Sequence, residues 1–524
     1  MSLPYLCPRS VLATAPLVAL AYLSSACTSH PLAAPLPKPG QNSRIEVNLN
    51  PSRKLDMIFM IDNSASMKPK QDKLAKQFPR LIDALKDPAM NPALPDMRIA
   101  IINSDVGTGR SGSCSPQYGD RGRFQMRDTT CGANPGARWL EFDANGKGNF
   151  AGELPAVFGC LAKAVGVGGC GFEQPLQALN LALNLKDEAT GRTQSADFLR
   201  PDALLAIVLL TDEDDCSMPL ESLLAQTNLS ATESWSLRCA TRAHQCQAKN
   251  LSYPTSAEFS ANFDDCQART DTCPDGESGK DATSCSPLAD VKKLAESIKA
   301  AKGDAERILV ASIFGWMREG QTGATYRIAK APQPGSPTEV FDYWPVCEDP
   351  NFPSTGGYNE TAWGMGAQGG LRIKAFLDEF PDRAQAFSIC EPDFTRAMSS
   401  IGAAIAIQLG KPCLPRKLQD TDLTLPGLQP DCDVRLRSNG TLSEKLPYCS
   451  DLEGRKPCWK VVKDEQRCPA VTSTEGNLFP SQYVAVERQG SSPPPADQFL
   501  EMNCLTCADL LKAYQDGYQI EGCK

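Results

Sequence analysis

The chain has 524 residues, room for two to four domains, and its 41% hydrophobic and 22% charged content is an ordinary globular balance. A net charge of −9 without a run of Lys and Arg excludes nucleic acid as a partner. Two histidines against 22 cysteines argue against zinc sites and imidazole catalysis, and for disulfides formed in an oxidising compartment.

At the N-terminus, Arg9 precedes an apolar segment from Val11 to Leu23, followed by Ser24-Ser25-Ala26-Cys27. That segment is too short for a membrane-spanning helix and reads as a secretory signal over residues 1–26. The Ser24–Cys27 end resembles a bacterial lipobox, which implies lipid on Cys27, although Ser24 stands where an aliphatic residue is usual and cleavage without lipidation stays open. Cysteine arithmetic favours the lipid: with Cys7 removed and Cys27 acylated, 20 cysteines remain, an even set compatible with ten bridges. Thr28 after Cys27 points to the outer membrane by the lipoprotein sorting rule. Residues 27–48, with Pro31, Pro35, Pro37 and Pro39, read as an extended tether.

Residues 49–408 alternate between two periodicities. A strand is expected at Lys54–Ile61, then a helix at Lys70–Leu85, with Leu74, Phe78, Leu81, Ile82 and Leu85 at helical spacing. Strands follow at Met97–Ile102, Ala203–Leu210, Arg307–Phe314 and Ala386–Ile389, and helices at Phe172–Leu185, Pro287–Ala301, Gly370–Glu379 and Phe394–Gln408. The pattern predicts an α/β fold with a doubly wound parallel sheet. Cysteine-bearing insertions at 105–169 and 214–284 are expected to form a stapled, loop-rich cap at the sheet edge, and a further loop insertion falls at 318–368. Residues 409–524, with eight cysteines and short strand-like runs, read as a small disulfide-rich β module in which Cys504-x-x-Cys507 is a bridge end.

Two buried-type runs end alike. Leu55–Ile61 stops at Asp62-Asn63-Ser64-Ala65-Ser66, and Ala203–Leu210 stops at Thr211-Asp212. Parallel sheets place ligands at the carboxyl ends of their strands, and oxygen-only donors there suit a hard cation. The pairing resembles the von Willebrand factor A (VWA) family and its metal-ion-dependent adhesion site. The resemblance implies that Asp62, Ser64 and Ser66, a middle-loop Thr and Asp212 hold a divalent cation, Mg²⁺ or else Ca²⁺ or Mn²⁺. With few carboxylates around it, that ion would take a further oxygen from a protein or glycan ligand with an exposed carboxylate. The middle loop, Gly168-Gly169-Cys170-Gly171-Phe172-Glu173, lacks the Thr. Cys170 falls near its place but is expected in a disulfide, and Glu173 is the alternative oxygen donor. Structural readings stand beside these: Asp62 and Ser64 as helix caps, Glu173 as a carboxylate on a helix dipole, and Glu213, Asp214 and Asp215 as a solvated acidic loop.

Other chemistry finds little purchase. Gly166-Val167-Gly168-Gly169-Cys170-Gly171 has dinucleotide-site spacing but does not follow the first strand, and Gly107–Ser113 lacks the phosphate-loop Lys. His30 lies in the tether, and His244, between two cysteines, is expected to be surface or structural. The expectation is a non-enzymatic cell-envelope lipoprotein that binds through a cation. The alternatives are a metal-assisted hydrolase or an accessory subunit of an envelope enzyme, and a scaffold with an empty site.

Overall fold

The computed structural model describes residues 43–523 except 49–52, 87–93, 108–118, 127–128, 144, 220–233, 247–248, 251–260, 264, 274–284, 320, 322, 325, 333–338, 350–365, 382, 411–412, 415, 439–440, 450–455, 466–467, 469–480, 489–497, 508–509 and 511–522. The residues read as a signal, Cys27 and most of the expected tether lie outside the described residues.

A six-stranded sheet forms the centre. Its order is Ala384–Ser388, Ile308–Phe314, β5 (Leu204–Leu210), β2 (Lys54–Ile61), β3 (Asp96–Asn103), β4 (Leu140–Phe142). All neighbours are parallel except β4, which runs antiparallel to β3. Helices cover both faces, so β2 and β5 are buried on both sides and read as continuous apolar runs. Alternation sorts the side chains of β2. Leu55, Met57, Phe59 and Ile61 meet α1 (Lys68–Leu85) and α2 (Leu154–Ala164). Ile58 and Met60 meet α3 (Pro175–Asn184) and α5 (Val291–Lys302). Phe158 stacks on Phe78 at 3.7 Å between ring centres and tilts against Phe59 at 4.7 Å.

The first insertion is more ordered than its composition implies. Its Leu154, Val157, Phe158, Leu161 and Ala162 form the buried stripe of α2, and β4 extends the sheet. Glycine-rich flanks conceal this stripe in the sequence. The second and third insertions join each other. Ala261–Phe263 pairs with Tyr326–Pro332, which pairs with Glu339–Tyr343, and α4 (Trp235–Ala243) is capped by Ser234, whose hydroxyl accepts from Leu237 N. Nine disulfides lie among the described residues, including Cys131–Cys160 at α2 and Cys347–Cys390, which ties the third insertion to the loop after Ala384–Ser388. None joins strands of the six-stranded sheet. Disulfides at this density belong to an extracytoplasmic protein. No helix among the described residues is long and apolar enough to cross a membrane.

The C-terminal module is built from antiparallel sheets, and it recruits the start of the described chain. β1 (Ser43–Asn48), expected to end the tether, is instead a strand paired with Gln498–Cys504, which continues to Cys432–Ser438 and Thr441–Lys445. Alternating apolar side chains explain it: Ile45 and Val47 are buried with Val434, Leu500 and Met502.

The acidic loop after β5 holds the helices on the sheet. Asp215 is buried and accepts from Leu176 N at 3.1 Å, at the start of α3, while its other oxygen takes Nε and an Nη of Arg372 at 3.1 and 2.9 Å. Asp214 accepts from the backbone N–H of Arg372, also at 3.1 Å, at the start of the Leu371–Asp378 helix, and from His244 Nε2 at 2.6 Å. These carboxylates sit where helix dipoles favour negative charge, so the expected solvated loop is instead an internal brace. His244 is fully buried, between Asp214 and the Tyr343 hydroxyl, and is structural rather than superficial. Arg372 and Asp215 are both fully enclosed. Replacing Arg372 by Ala strands a buried carboxylate and should lower unfolding free energy by about 3–5 kcal/mol, measured by denaturant titration. A loss under about 1 kcal/mol would mean that the brace is dispensable.

Candidate functional site

Parallel pairing brings the two strand ends into line. Ile61 stands beside Leu210, Asp62 N donates to Leu210 O at 2.9 Å, and Thr211 N donates to Ile313 O at 3.2 Å. Asp62 and Thr211 therefore emerge side by side. The Thr211 hydroxyl donates to Asp62 Oδ2 at 2.7 Å, and Ser64 N donates to Oδ1 at 2.7 Å, a local turn that sets the loop. Asp62 is fully buried, and burial, followed by the negative charge of Asp212, pushes its carboxyl up to about 6.

The hydroxyls of Ser64 and Ser66 lie 3.2 Å apart. Neither the short helical turn at Ala65–Met67 nor α1 has a side-chain cap, so Asp62 and Ser64 are not spent on capping. The third strand end adds Ser104, whose hydroxyl is 3.5 Å from Asp62 Oδ1 and 3.3 Å from Asn63 Oδ1. The glycine-rich middle loop docks onto the same turn. Gly169 N donates to Asn63 O at 2.9 Å, and Gln71 Nε2 bridges Asp62 O and Gly166 O at 3.0 and 2.8 Å. A Cβ at Gly169 would stand 2.4 Å from Asn63 Oδ1, so a larger residue there would have to displace the Asn63 side chain.

Glu173, just ahead of α3, is completely buried, and neither of its carboxylate oxygens has a hydrogen-bond partner among the described residues. Burial, then the charges of Asp62 and Glu213, push it well above the usual glutamate range, and the nearby Ser104 hydroxyl opposes this without completing a hydrogen bond. At the start of α3 it is Asp215 that accepts from Leu176 N, at 3.1 Å. Asp212 presents one buried oxygen with no partner, and its other oxygen is paired with the ammonium of Lys70, which also donates to Gly366 O at 2.9 Å. Glu213 is less enclosed as a residue, but burial of its carboxyl and the charges of Asp212 and Asp62 push it well above its usual range. Cys170 is disulfide-bonded, so its sulfur is no substitute for the missing Thr.

Asp62, Ser64, Ser66, Asp212 and Glu173 thus gather at one edge of the sheet. Thr211, Ser104 and Lys70 join them unforeseen. Thr211 was visible only as the neighbour of Asp212. Lys70 had a fainter signal, a cation four residues before Leu74 on the apolar stripe of α1. Orphaned buried oxygens on Glu173 and Asp212, beside neutral hydroxyls, make a donor set that fits a hard divalent cation. The one close triple of His, Cys, Asp or Glu ligand atoms among the described residues lies elsewhere, at Cys449, Cys458 and Glu487. It is not a metal site, since those cysteines are bridged to each other and Glu487 pairs with Lys460. Asp62, Glu173 and Asp212 do not converge as tightly as that triple, so an ion among them would draw on the hydroxyls as well.

No protein-family model and no curated protein matches the chain. Among solved structures it has a weak likeness to the human COPII-coat protein Sec24c, at 10% identity and a TM-score of 0.28, covering 90% of this chain and 47% of that one. A second is the pilus adhesin RrgA from Streptococcus pneumoniae, at 12% identity and a TM-score of 0.21, covering 90% and 58%. The chain spans about half the length of these structures.

The strain at Glu173 is measurable. In chelator, Glu173→Gln should stabilise the protein by about 1–3 kcal/mol, because the buried charge is removed while the shape is kept. A raised carboxyl favours the fold only while protonated, so the advantage should be absent below the ordinary glutamate range and grow as pH rises above it. Denaturant titrations across that range test this, and destabilisation at alkaline pH would show that the carboxylate has a partner.

Proposed function

We propose that the protein is a VWA-type binding protein of the cell envelope. In this reading a divalent cation, Mg²⁺ or else Ca²⁺ or Mn²⁺, sits among Asp62, Ser64, Ser66 and Asp212. Glu173 supplies the oxygen that the family's Thr would give. The observation that carries the reading is the alignment of the β2 and β5 ends, which sets Asp62 beside Thr211 and Asp212, with the unpartnered Glu173 carboxylate facing the same acids.

The chain's own residues divide the work. Thr211 and the Ser64 N–H hold the Asp62 carboxylate in one orientation, while Gln71 and Gly169 pin the turn that carries the serines. Ser64 and Ser66 contribute neutral oxygens, so a bound ion would keep positive charge for an outside ligand. The bound ion supplies an electron-poor point for an exposed carboxylate on a protein or glycan. The insertions around the edge would choose which partner approaches. We place the protein outside the cytosol, anchored to the membrane through lipid on Cys27, in the outer membrane.

Ser64→Ala and Asp212→Ala should abolish calorimetric binding of Mg²⁺, Mn²⁺ and Ca²⁺ while the far-ultraviolet spectrum is retained. Unchanged isotherms in both variants would refute the site. Envelope partners captured by the wild-type protein should be released by chelator and not captured by Asp62→Ala. For the anchor, wild-type protein should partition into detergent and Cys27→Ser should not, because several acyl chains hold a protein stably at a membrane and the variant carries none.

A further inference from the structure

Lys70 stands where the cation reading has no place for it. It lies in the first turn of α1, the end of a helix that disfavours positive charge, and that turn contains no acid. It is 2% exposed, and burying an ammonium is costly unless it is paired. Its partners are Asp212 Oδ2 and Gly366 O, and it is also close enough to offset part of the repulsion at Glu213. The acid it neutralises is the one that the second strand end would offer to a metal.

We infer that Lys70 is a tethered counter-ion that competes with the divalent cation for Asp212 and sets how much cation the site needs. The inference rests on the cation reading above. A side chain fixed on α1 meets Asp212 as an intramolecular partner, at an effective concentration that a free ion must outcompete. It also places positive charge beside the position an ion would take, and this repulsion is stronger in an enclosed site than in water. Lys70 thereby moves the site toward the weak affinities of extracellular cation modules, in the range of roughly 10⁻⁴–10⁻³ M. Free of cation, the edge is held together by the ammonium. With cation bound, Lys70 gives up Asp212 and retains Gly366 O.

The test is calorimetric titration of the full mature chain with Mg²⁺ and with Mn²⁺, comparing wild type, Lys70→Gln, Lys70→Arg and Asp62→Asn. Glutamine keeps a donor for Gly366 O and loses the charge, so it should bind at least tenfold more tightly than wild type. Arginine keeps the charge and should bind no more tightly. Thermal denaturation gives a second readout: in chelator Lys70→Gln should melt below wild type, and saturating cation should raise its midpoint by more. Should Lys70→Gln fail to fold, Lys70→Met, of similar length and uncharged, carries the same expectation. Equal affinity in wild type and Lys70→Gln, abolished by Asp62→Asn, would overturn the inference and leave the cation site standing. Binding by Lys70→Gln alone would support the inference and make the ammonium the resident cation of the wild-type protein, against the proposed function. Binding by neither would overturn both.

Discussion

The arrangement of the whole site depends on the parallel register of β2 with β5. Because Ile61 lies opposite Leu210, the next residues leave the sheet together, and Asp62 meets Thr211 without any further device. A slip of one residue would exchange the two faces of β2, moving Phe59 out of the α1 and α2 layer and Met60 out of the α3 and α5 layer. Core packing on both faces therefore fixes the site's geometry, which is why its polar residues can be poorly satisfied and still hold their places.

That rigidity allows an unusual concentration of negative charge. Asp62, Glu173, Asp212 and Glu213 repel one another in an enclosed region, while Asp214 and Asp215, in the same loop, are fully occupied at two helix starts and on Arg372. The contrast between the groups is informative. Carboxylates with a structural task are saturated with donors, whereas both oxygens of Glu173 and one of Asp212 are left without a partner among the described residues. Proteins tolerate such unsatisfied groups chiefly where function requires them.

Much of this was legible in the sequence for identifiable reasons. Four strands of the central sheet, β2, β3, β5 and Ile308–Phe314, announce themselves as apolar runs, and Asp62, Ser64, Ser66 and Asp212 were recognisable because they stand in the loops that follow two of them. Glu173 came as the alternative oxygen donor, once spacing to the helix had put Cys170 near the place of the missing Thr. What could not be read locally is whatever depends on partners distant in the chain. Lys70 pairs across 142 residues, Ser104 and Thr211 act through Asp62, and the burial of Asp214 and Asp215 comes from Arg372 and His244. Composition misled at α2, where glycines on either side hide five apolar residues, and at β1, where the neighbouring prolines drew Ile45 and Val47 into the tether.

The pairing of β1 with Gln498–Cys504 bears on how the chain matures. The two strands of this pair are separated by some 450 residues, so the largest sheet of the C-terminal module is closed by a contact of very high sequence separation. A chain that emerges N-terminus first into an oxidising space can complete its central sheet while Ile45 and Val47 still lack the strand they pair with. Until that strand arrives, Cys432 has no Cys504 to meet, and its thiol stays open to exchange with other cysteines. Vectorial export thus places the greatest hazard of mispaired bridges at the end of synthesis, in the module farthest along the chain from the site.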